Sequence, residues 1–255
     1  MLSALMTVYN ENEYVEYAIK SCLEHVDHLV IVEGSYQETI KLGKEPRSTD
    51  GTIQIIEQFR SNPKVHIIFA NEPSDKDQRN IGLAKIKELN PDGWLYIHDG
   101  DEVYTSQNYV QIKALCKRLD KLNFCKGVYF RSLTFVNDFY HYTNQIFPRL
   151  FKITKNCLFK NDNFMTWEED FRPNHIETPF ISNQIYFHHY SFCKNLERFS
   201  TKEKWWKTRF GKEFDYGWHI NEKGLIEDSN HTIFEYKMEH PEIMKEHPLY
   251  GKRKV

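Results

Sequence analysis

WLYIHDGDE, residues 94–102, decides the fold: an apolar run from Trp94 to His98 stops abruptly on Asp99-Gly100-Asp101-Glu102. An apolar run this short, bounded by turn-forming residues, has the signature of a strand buried on both faces, and such strands belong to parallel sheets. Three further runs toward the N-terminus read the same way: Leu2 to Tyr9, His28 to Val32 (HLVIV) and Val65 to Ala70. Helical patterns fill the gaps. Asn10 with Glu13 three residues on predicts a capping box, followed by apolar positions Tyr14, Ala18, Cys22 and Val26 on one face. Ser48-Thr49-Asp50-Gly51 offers N-caps to a helix carrying Ile53, Ile56 and Phe59, and Gln78 to Leu89 reads as a third helix. Strands alternating with helices predict an open, mostly parallel α/β sheet with right-handed crossovers. Ligands of such sheets bind at the carboxyl ends of the strands, here near Tyr9, Glu33, Ala70 and Asp99.

The remainder of the chain sets bounds. Of 255 residues 40% are apolar, enough for a sizeable core, and the net charge of −2 supplies no field that would draw in nucleic acid. No apolar run approaches the ~20 residues that span a bilayer. Met1 to Tyr9, followed by Asn10-Glu11-Asn12-Glu13, matches neither a signal peptide nor an anchor. Cysteines at 22, 116, 125, 157 and 193 are odd in number and never spaced C-x-x-C, so buried thiols and a cytoplasmic setting are expected. After a helix near Gln107 to Leu122, strands are expected at 127–135, 148–153 and 184–192, and a helix from Asn195 to Phe210. No linker appears, which predicts a single domain over 1–255 with an elaborated C-terminal part, and Gly251 to Val255 reads as a frayed basic tail.

The acidic tetrapeptide carries the most chemistry. Asp99 and Asp101, separated by Gly100, can turn toward one point, and oxygen-only ligands suit a hard cation such as Mg2+ or Mn2+. A solvated acidic turn is the plain alternative. The ladder of an EF-hand is absent.

Five segments in series, TVYNENEY (7–14), VDHLVIVEG (26–34), RSTDGT (47–52), QRNIGL (78–83) and HDGDE (98–102), resemble the family 2 glycosyltransferases of GT-A fold. They cover about the first two-fifths of the chain. The resemblance implies a metal-dependent transfer of sugar from a nucleotide-sugar donor, a UDP- or GDP-sugar, to a hydroxyl of a saccharide or other acceptor, with inversion. Residues 1–104 would then hold the donor and 105–255 the acceptor and catalytic base. It further implies that Thr7, Val8, Tyr9 and Glu11 hold the base of the nucleotide. Glu33, where the family more often has Asp, would bind base or ribose. Arg79 and Asn80 would lie near the diphosphate, and Asp99, Gly100 and Asp101 would form the donor's acidic motif, with Asp101 on the metal (Mn2+ or Mg2+) and Asp99 on ribose or metal-bound water.

One departure stands out. An insertion, QETIKLGKEP (37–46), splits the usual run from the second strand into D-G-S-x-D-G-T, and predicts a lid that brings Lys44 or Arg47 to phosphate, or else a plain surface loop. Deprotonating the acceptor needs a carboxylate base. Glu168-Glu169-Asp170 resembles the family's acidic pair, which points to Asp170 and then Glu169, with Asp138, Asp162 and Glu177 as competitors. In His188-His189-Tyr190 strand alternation lets only one histidine face the site, and the family-like His before Tyr favours His189 as a metal ligand over a structural role. Trp167, Trp205, Trp206 and Trp218 could stack on an acceptor, though packing is the default. Two other readings remain open: a non-catalytic nucleotide- or saccharide-binding protein, and a sugar-phosphate nucleotidyltransferase, which would carry a glycine-rich loop where this chain has Asn-Glu-Asn-Glu.

Overall fold

The computed structural model describes all residues except 123–125, 161–164, 168–179, 195, 211–216 and 255. In chain order the elements are β1 (Leu2–Val8), α1 (Val15–Leu23), β2 (His28–Glu33), α2 (Gln37–Ile40), α3 (Thr52–Glu57), β3 (Val65–Phe69), α4 (Asp75–Leu89), β4 (Trp94–Ile97), β5 (Glu102–Val103) and α5 (Ser106–Leu122). There follow β6 (Gly127–Val136), β7 (His141–Lys152), β8 (Cys157–Phe159), β9 (Met165–Trp167), β10 (Phe180–Phe192), α6 (Leu196–Phe210), β11 (Trp218–Ile220), β12 (Ile226–Asp228) and β13 (Phe234–Glu235). The chain forms two compact units. One comprises Met1–Arg131 and Ile146–Phe187, the other Ser132–Gln145 and His188–Val255.

The main sheet runs β3-β2-β1-β4-β7-β6-β10-β5. Its β3, β2, β1 and β4 are mutually parallel, and β7 joins β4 antiparallel. Strand alternation sorts the core of the first unit. Leu2, Ala4, Met6 and Val8 of β1, with Trp94 and Tyr96 of β4, pack on the side of α1 and α5. Leu5, Val30, Val32, Leu95 and Ile97 point the other way, onto Leu83 and Ile86 of α4. Both faces are therefore covered, as continuous apolar runs require. Because β1 is parallel to both neighbours, Val8 lies opposite Glu33, and the exits of β1, β2 and β4 open at one edge.

In the second unit Val136, Phe192, Phe199, Trp206, Trp218 and Ile226 form a core, with Trp205 packed against it, so three of the tryptophans serve as packing. Arg253 and Lys254 are held rather than frayed: the Lys254 N–H donates to Asp138 Oδ2 at 2.9 Å, and Arg253 lies 4.5 Å over the Tyr140 ring. Four of the cysteines, 22, 116, 157 and 193, are free and buried. Among the described residues no helix is long and apolar enough to cross a membrane.

Candidate active site

The predicted capping box at Asn10 does not form. Helix α1 starts at Val15 with no side-chain cap, and Asn10 adopts a left-handed φ of 50°. Its neighbourhood is fastened instead to the second half of the split motif. Asn10 N–H donates to Ser48 Oγ at 2.8 Å, Glu11 N–H to Thr52 Oγ1 at 2.6 Å, and Asn12 N–H to Asp50 Oδ2 at 3.1 Å, while Asn10 Oδ1 accepts from Thr49 N–H at 2.9 Å. Ser48 to Thr52 thus serves as a template for the loop after β1. The Thr52 hydroxyl that accepts from Glu11 also donates to Asp50 Oδ1, so its own orientation is fixed.

Glu33, at the end of β2, is fully buried. Its Oε1 accepts the Ser48 N–H at 2.8 Å, whereas Oε2 has no hydrogen-bond donor and lies 3.8 Å from Arg47 Nη1. That same Nη1 donates to the carbonyls of Glu33 and Ala70, each at 3.0 Å, and the guanidinium sits 5.3 Å over Phe69. Arg47 therefore ties together the ends of β2 and β3. The crossing requires Gly34, whose φ is +144° and where a Cβ would come within 2.0 Å of the Ala70 carbonyl oxygen. The insertion folds into the short helix α2 and a turn, and Tyr9 reaches it by donating its hydroxyl to Glu45 O at 2.9 Å.

The acidic motif follows β4 directly. Gly100 is not needed for a left-handed turn. What it supplies is room: a Cβ there would lie 2.8 Å from Glu11 Cγ and 3.1 Å from Val8 Cγ1, so its absence lets the motif approach the loop after β1. Asp99 sits between two guanidiniums. Arg79 Nη2 donates to Oδ1 at 3.2 Å and Arg149 Nη2 to Oδ2 at 2.8 Å. Each arginine has a second carboxylate behind it: Arg79 Nε donates to Asp75 Oδ2 at 3.0 Å, and Arg149 Nε to Glu102 Oε1 at 3.0 Å. Tyr36 extends the chain by donating its hydroxyl to Asp75 Oδ1 at 2.7 Å. Burial works against the charged form of both guanidiniums, and the adjoining carboxylates outweigh it. For Glu102, burial raises the carboxyl above its ordinary range, with Arg149 opposing and the charges of Asp99 and Asp101 reinforcing it.

Behind the motif, His98 is buried and neutral. Its Nε2 faces the Ala18 carbonyl at 3.0 Å, which can only accept, so the proton is on Nε2 and Nδ1 accepts from the Tyr96 hydroxyl at 2.8 Å. Burial pushes this imidazole down to about 4.

The first unit thus gathers Tyr9, Glu11, Glu33, Arg47, Arg79, Asp99, Gly100 and Asp101 at the carboxyl ends of its strands, with Thr7 and Val8 in β1 leading into them. Asn80 is differently employed: its amide both donates to Phe159 O at 3.0 Å and accepts from Phe159 N–H at 2.8 Å, linking α4 to β8. Arg149 is not singled out by the sequence reading, and Glu102 enters it only as the last residue of the acidic tetrapeptide. The signal was present, since an arginine inside the apolar run PRLFKI is rarely buried unless paired.

His189 belongs to the second unit, where its Nδ1 faces Thr134 Oγ1 at 3.5 Å, while His188 stacks on Phe135 on the opposite face. Asp138 is occupied structurally, accepting from Tyr140 N–H, His141 and Lys254 N–H, which together outweigh burial and hold it below the usual carboxylate range. Glu168, Glu169, Asp170, Asp162 and Glu177 lie outside the described residues.

Among the described residues no group of three or more His, Cys, Asp or Glu side chains is placed to hold a metal ion. The donors at β4 nevertheless fit a hard divalent cation. They are carboxylate oxygens, and such a cation keeps several waters and needs only one or two protein carboxylates beside substrate phosphates. Both oxygens of Asp99 are engaged by guanidiniums.

The model of the family described as "Glycosyl transferase family 2" matches residues 3–169. No curated protein sequence matches the chain. Similar solved structures include S. aureus TarS 1-349 in complex with UDP-GlcNAc, at 18% identity and a TM-score of 0.36 over 52% of this chain and 34% of that one. Another is 4-diphosphocytidyl-2C-methyl-D-erythritol synthase, at 16% identity and 0.36 over 59% and 74%. A third is mannose-6-phosphate isomerase from Helicobacter pylori, at 13% identity and 0.32 over 56% and 55%. The chain spans 35% or less of the TarS chains it matches, and at these scores the likenesses add nothing to the family match.

Proposed function

Because the chain belongs to glycosyl transferase family 2, with its α/β GT-A fold, we propose that it transfers a sugar from a nucleotide-sugar donor to an acceptor hydroxyl. The observation that carries this reading is the acidic motif at the exit of β4, set against the loop after β1 through Gly100 and fixed by Arg79. In this reading Thr7 to Glu11 and Glu33 receive the nucleoside of a UDP- or GDP-sugar. Arg79 lies beside the diphosphate, and Asp99 and Asp101 hold a Mn2+ or Mg2+ ion, with Asp101 as the direct ligand. When bound, the ion supplies positive charge to the diphosphate as it departs. Inversion requires a carboxylate that takes the proton of the attacking hydroxyl, a role we assign to Asp170 and next to Glu169. Arg47, with its Nη1 on two strand-end carbonyls, supports the reading as a brace for the nucleotide loop more than as a phosphate ligand.

The test is thermal unfolding with UDP-, GDP-, CMP- and dTDP-sugars, each with and without Mn2+. A ligand that binds only the native state at about 100 times its Kd adds roughly 2.7 kcal/mol of stability. A Mn2+-dependent rise with one nucleotide, abolished in Asp101→Asn, is the expected result. A flat response to every donor, or an undiminished one in Asp101→Asn, refutes the reading.

A further inference from the structure

We propose that Arg149 is a positioning residue for the acidic motif, fixing Asp99 from within β7 with Glu102 as its counter-anchor. The proposal rests on the reading of that motif as the donor site.

Arg149 is only 2% exposed, in a strand otherwise apolar around it. A buried guanidinium has to be paired, and here both partners come from one tetrapeptide. Nε and Nη2 both donate to Glu102 Oε1, and Nη2 also donates to Asp99 Oδ2 at 2.8 Å. The Glu102 N–H closes the turn onto Asp99 O at 3.0 Å. One guanidinium therefore bridges the two ends of the turn that carries Gly100 and Asp101, and it fixes the direction of everything between them. Its plane is confined by Phe147 and Phe187, with ring centroids 4.9 and 5.6 Å away, which leaves few other orientations. Phe187 in turn stacks on Tyr104 at 5.0 Å, just beyond the motif.

The arrangement is symmetrical about Asp99. Arg79 holds one oxygen and is backed by Asp75, and Arg149 holds the other and is backed by Glu102. The two arginines are unequally suited to ligand chemistry. Arg79 lies in the first turns of α4 at the strand exits, where a diphosphate would come, whereas Arg149 is enclosed by aromatic rings and by the turn it spans. Charge and geometry at the motif are thereby set before any ligand arrives, which is the condition for strong electrostatic binding in a site of low dielectric. Lysine could not replace it, because a point charge on a flexible stem lacks the planar fork that reaches both carboxylates.

The experiment compares wild type, Arg149→Lys, Arg149→Met, Glu102→Gln and the double variant Arg149→Met/Glu102→Gln. Binding of UDP and of GDP in the presence of Mn2+ is measured by calorimetry, and stability by urea unfolding. Arg149→Lys is expected to weaken Mn2+-dependent nucleotide binding by about 10- to 100-fold, the loss typical when a partner of a metal-site ligand is removed. Arg149→Met strands buried carboxyl groups and loses stability. The double variant, no longer carrying Glu102 as an unpaired acid, is expected to regain most of the urea midpoint and none of the binding. Wild-type binding in Arg149→Lys, or binding restored together with stability in the double variant, overturns the proposal. If the wild type itself binds neither nucleotide, the donor reading fails, and the crystal structure of the double variant decides the positioning role alone. Displacement of the Asp99 carboxylate supports it, and an unmoved Asp99 overturns it.

Discussion

In the first unit Asp75, Arg79, Arg149 and Glu102 are kept from water and, with the partly exposed Asp99, form a series of alternating charges, whereas in the second unit His188, Tyr190, Tyr236 and His240 are kept from water as neutral groups. The two clusters satisfy their polar atoms by different means. In the charged one every guanidinium lies between two carboxylates. In the neutral one Tyr236 donates to Glu239 O and so accepts from His188 Nε2–H at 2.9 Å. His240 donates from Nε2 to Phe139 O at 2.7 Å and accepts the Tyr190 hydroxyl at Nδ1. Phe135 and Phe139 pack against these rings. A charged cluster depends on every partner being present, so it is vulnerable to deletion. A neutral one tolerates the loss of a partner but not the arrival of a proton, so it is vulnerable to acid.

Deletion should show the larger effect. Arg149→Met removes the guanidinium from both Glu102 and Asp99, and breaking a buried pair at one partner costs about 3–5 kcal/mol, read as a lower urea midpoint at pH 7. A loss below about 1 kcal/mol would mean that the two clusters do not differ in this respect. Acid should come next. Burial pushes His188 down to about 3 and His240 and His98 down to about 4, from an ordinary 6.5. Below pH 6.5 the unfolded chain takes up protons that the folded one refuses, so stability is lost as pH falls. Each of these histidines should cost about 1 kcal/mol between pH 6.5 and 5.5, measured as urea midpoints across that interval. His25 and His66, also lowered by burial, act in the same sense. Glu102 acts in the opposite sense: its raised carboxyl binds a proton more readily folded than unfolded, so its contribution falls as pH rises. A stability that rose on acidification through this range would show Glu102 outweighing the histidines.

What the sequence discloses follows the same division between local and distant partners. The strands of the first unit were legible because continuous apolar runs need both faces covered, and Trp94 to Ile97 is buried throughout. The acidic motif was legible because it interrupts such a run. The start of α1 was not: Asn10 and Glu13 form a valid capping pattern, but Asn10 is claimed by Thr49 and Ser48, about forty positions on, across an insertion that hides the relation. Arg149 was overlooked for a similar reason, its partners lying 47 and 50 positions earlier. Gly100 reads in the sequence as a turn between two acids, whereas in the structure its contribution is the space beside Glu11 and Val8. The candidate bases Asp170 and Glu169 were singled out by resemblance alone, and they lie outside the described residues.

The smallest effect offers the sharpest discrimination. His188 is completely enclosed, yet its Nδ1 has no hydrogen-bond partner, so the ring already carries one unsatisfied acceptor. Replacing it with Phe removes that acceptor and keeps the stacking on Phe135, whose ring lies 5.7 Å away and nearly parallel. The cost is the single donation to Tyr236, which retains its own acceptor on Glu239. At pH 7 the two effects nearly cancel, and His188→Phe should shift stability by no more than about 1 kcal/mol in either direction. At pH 5.5 the variant should be more stable than wild type, because one buried base no longer has to stay unprotonated for the chain to fold. Urea midpoints of the two proteins at pH 7 and 5.5 therefore separate a neutral cluster from a charged one. If His188→Phe lost several kcal/mol at pH 7 and gained nothing in acid, His188 would be protonated and paired in the folded chain, and the second unit would resemble the first.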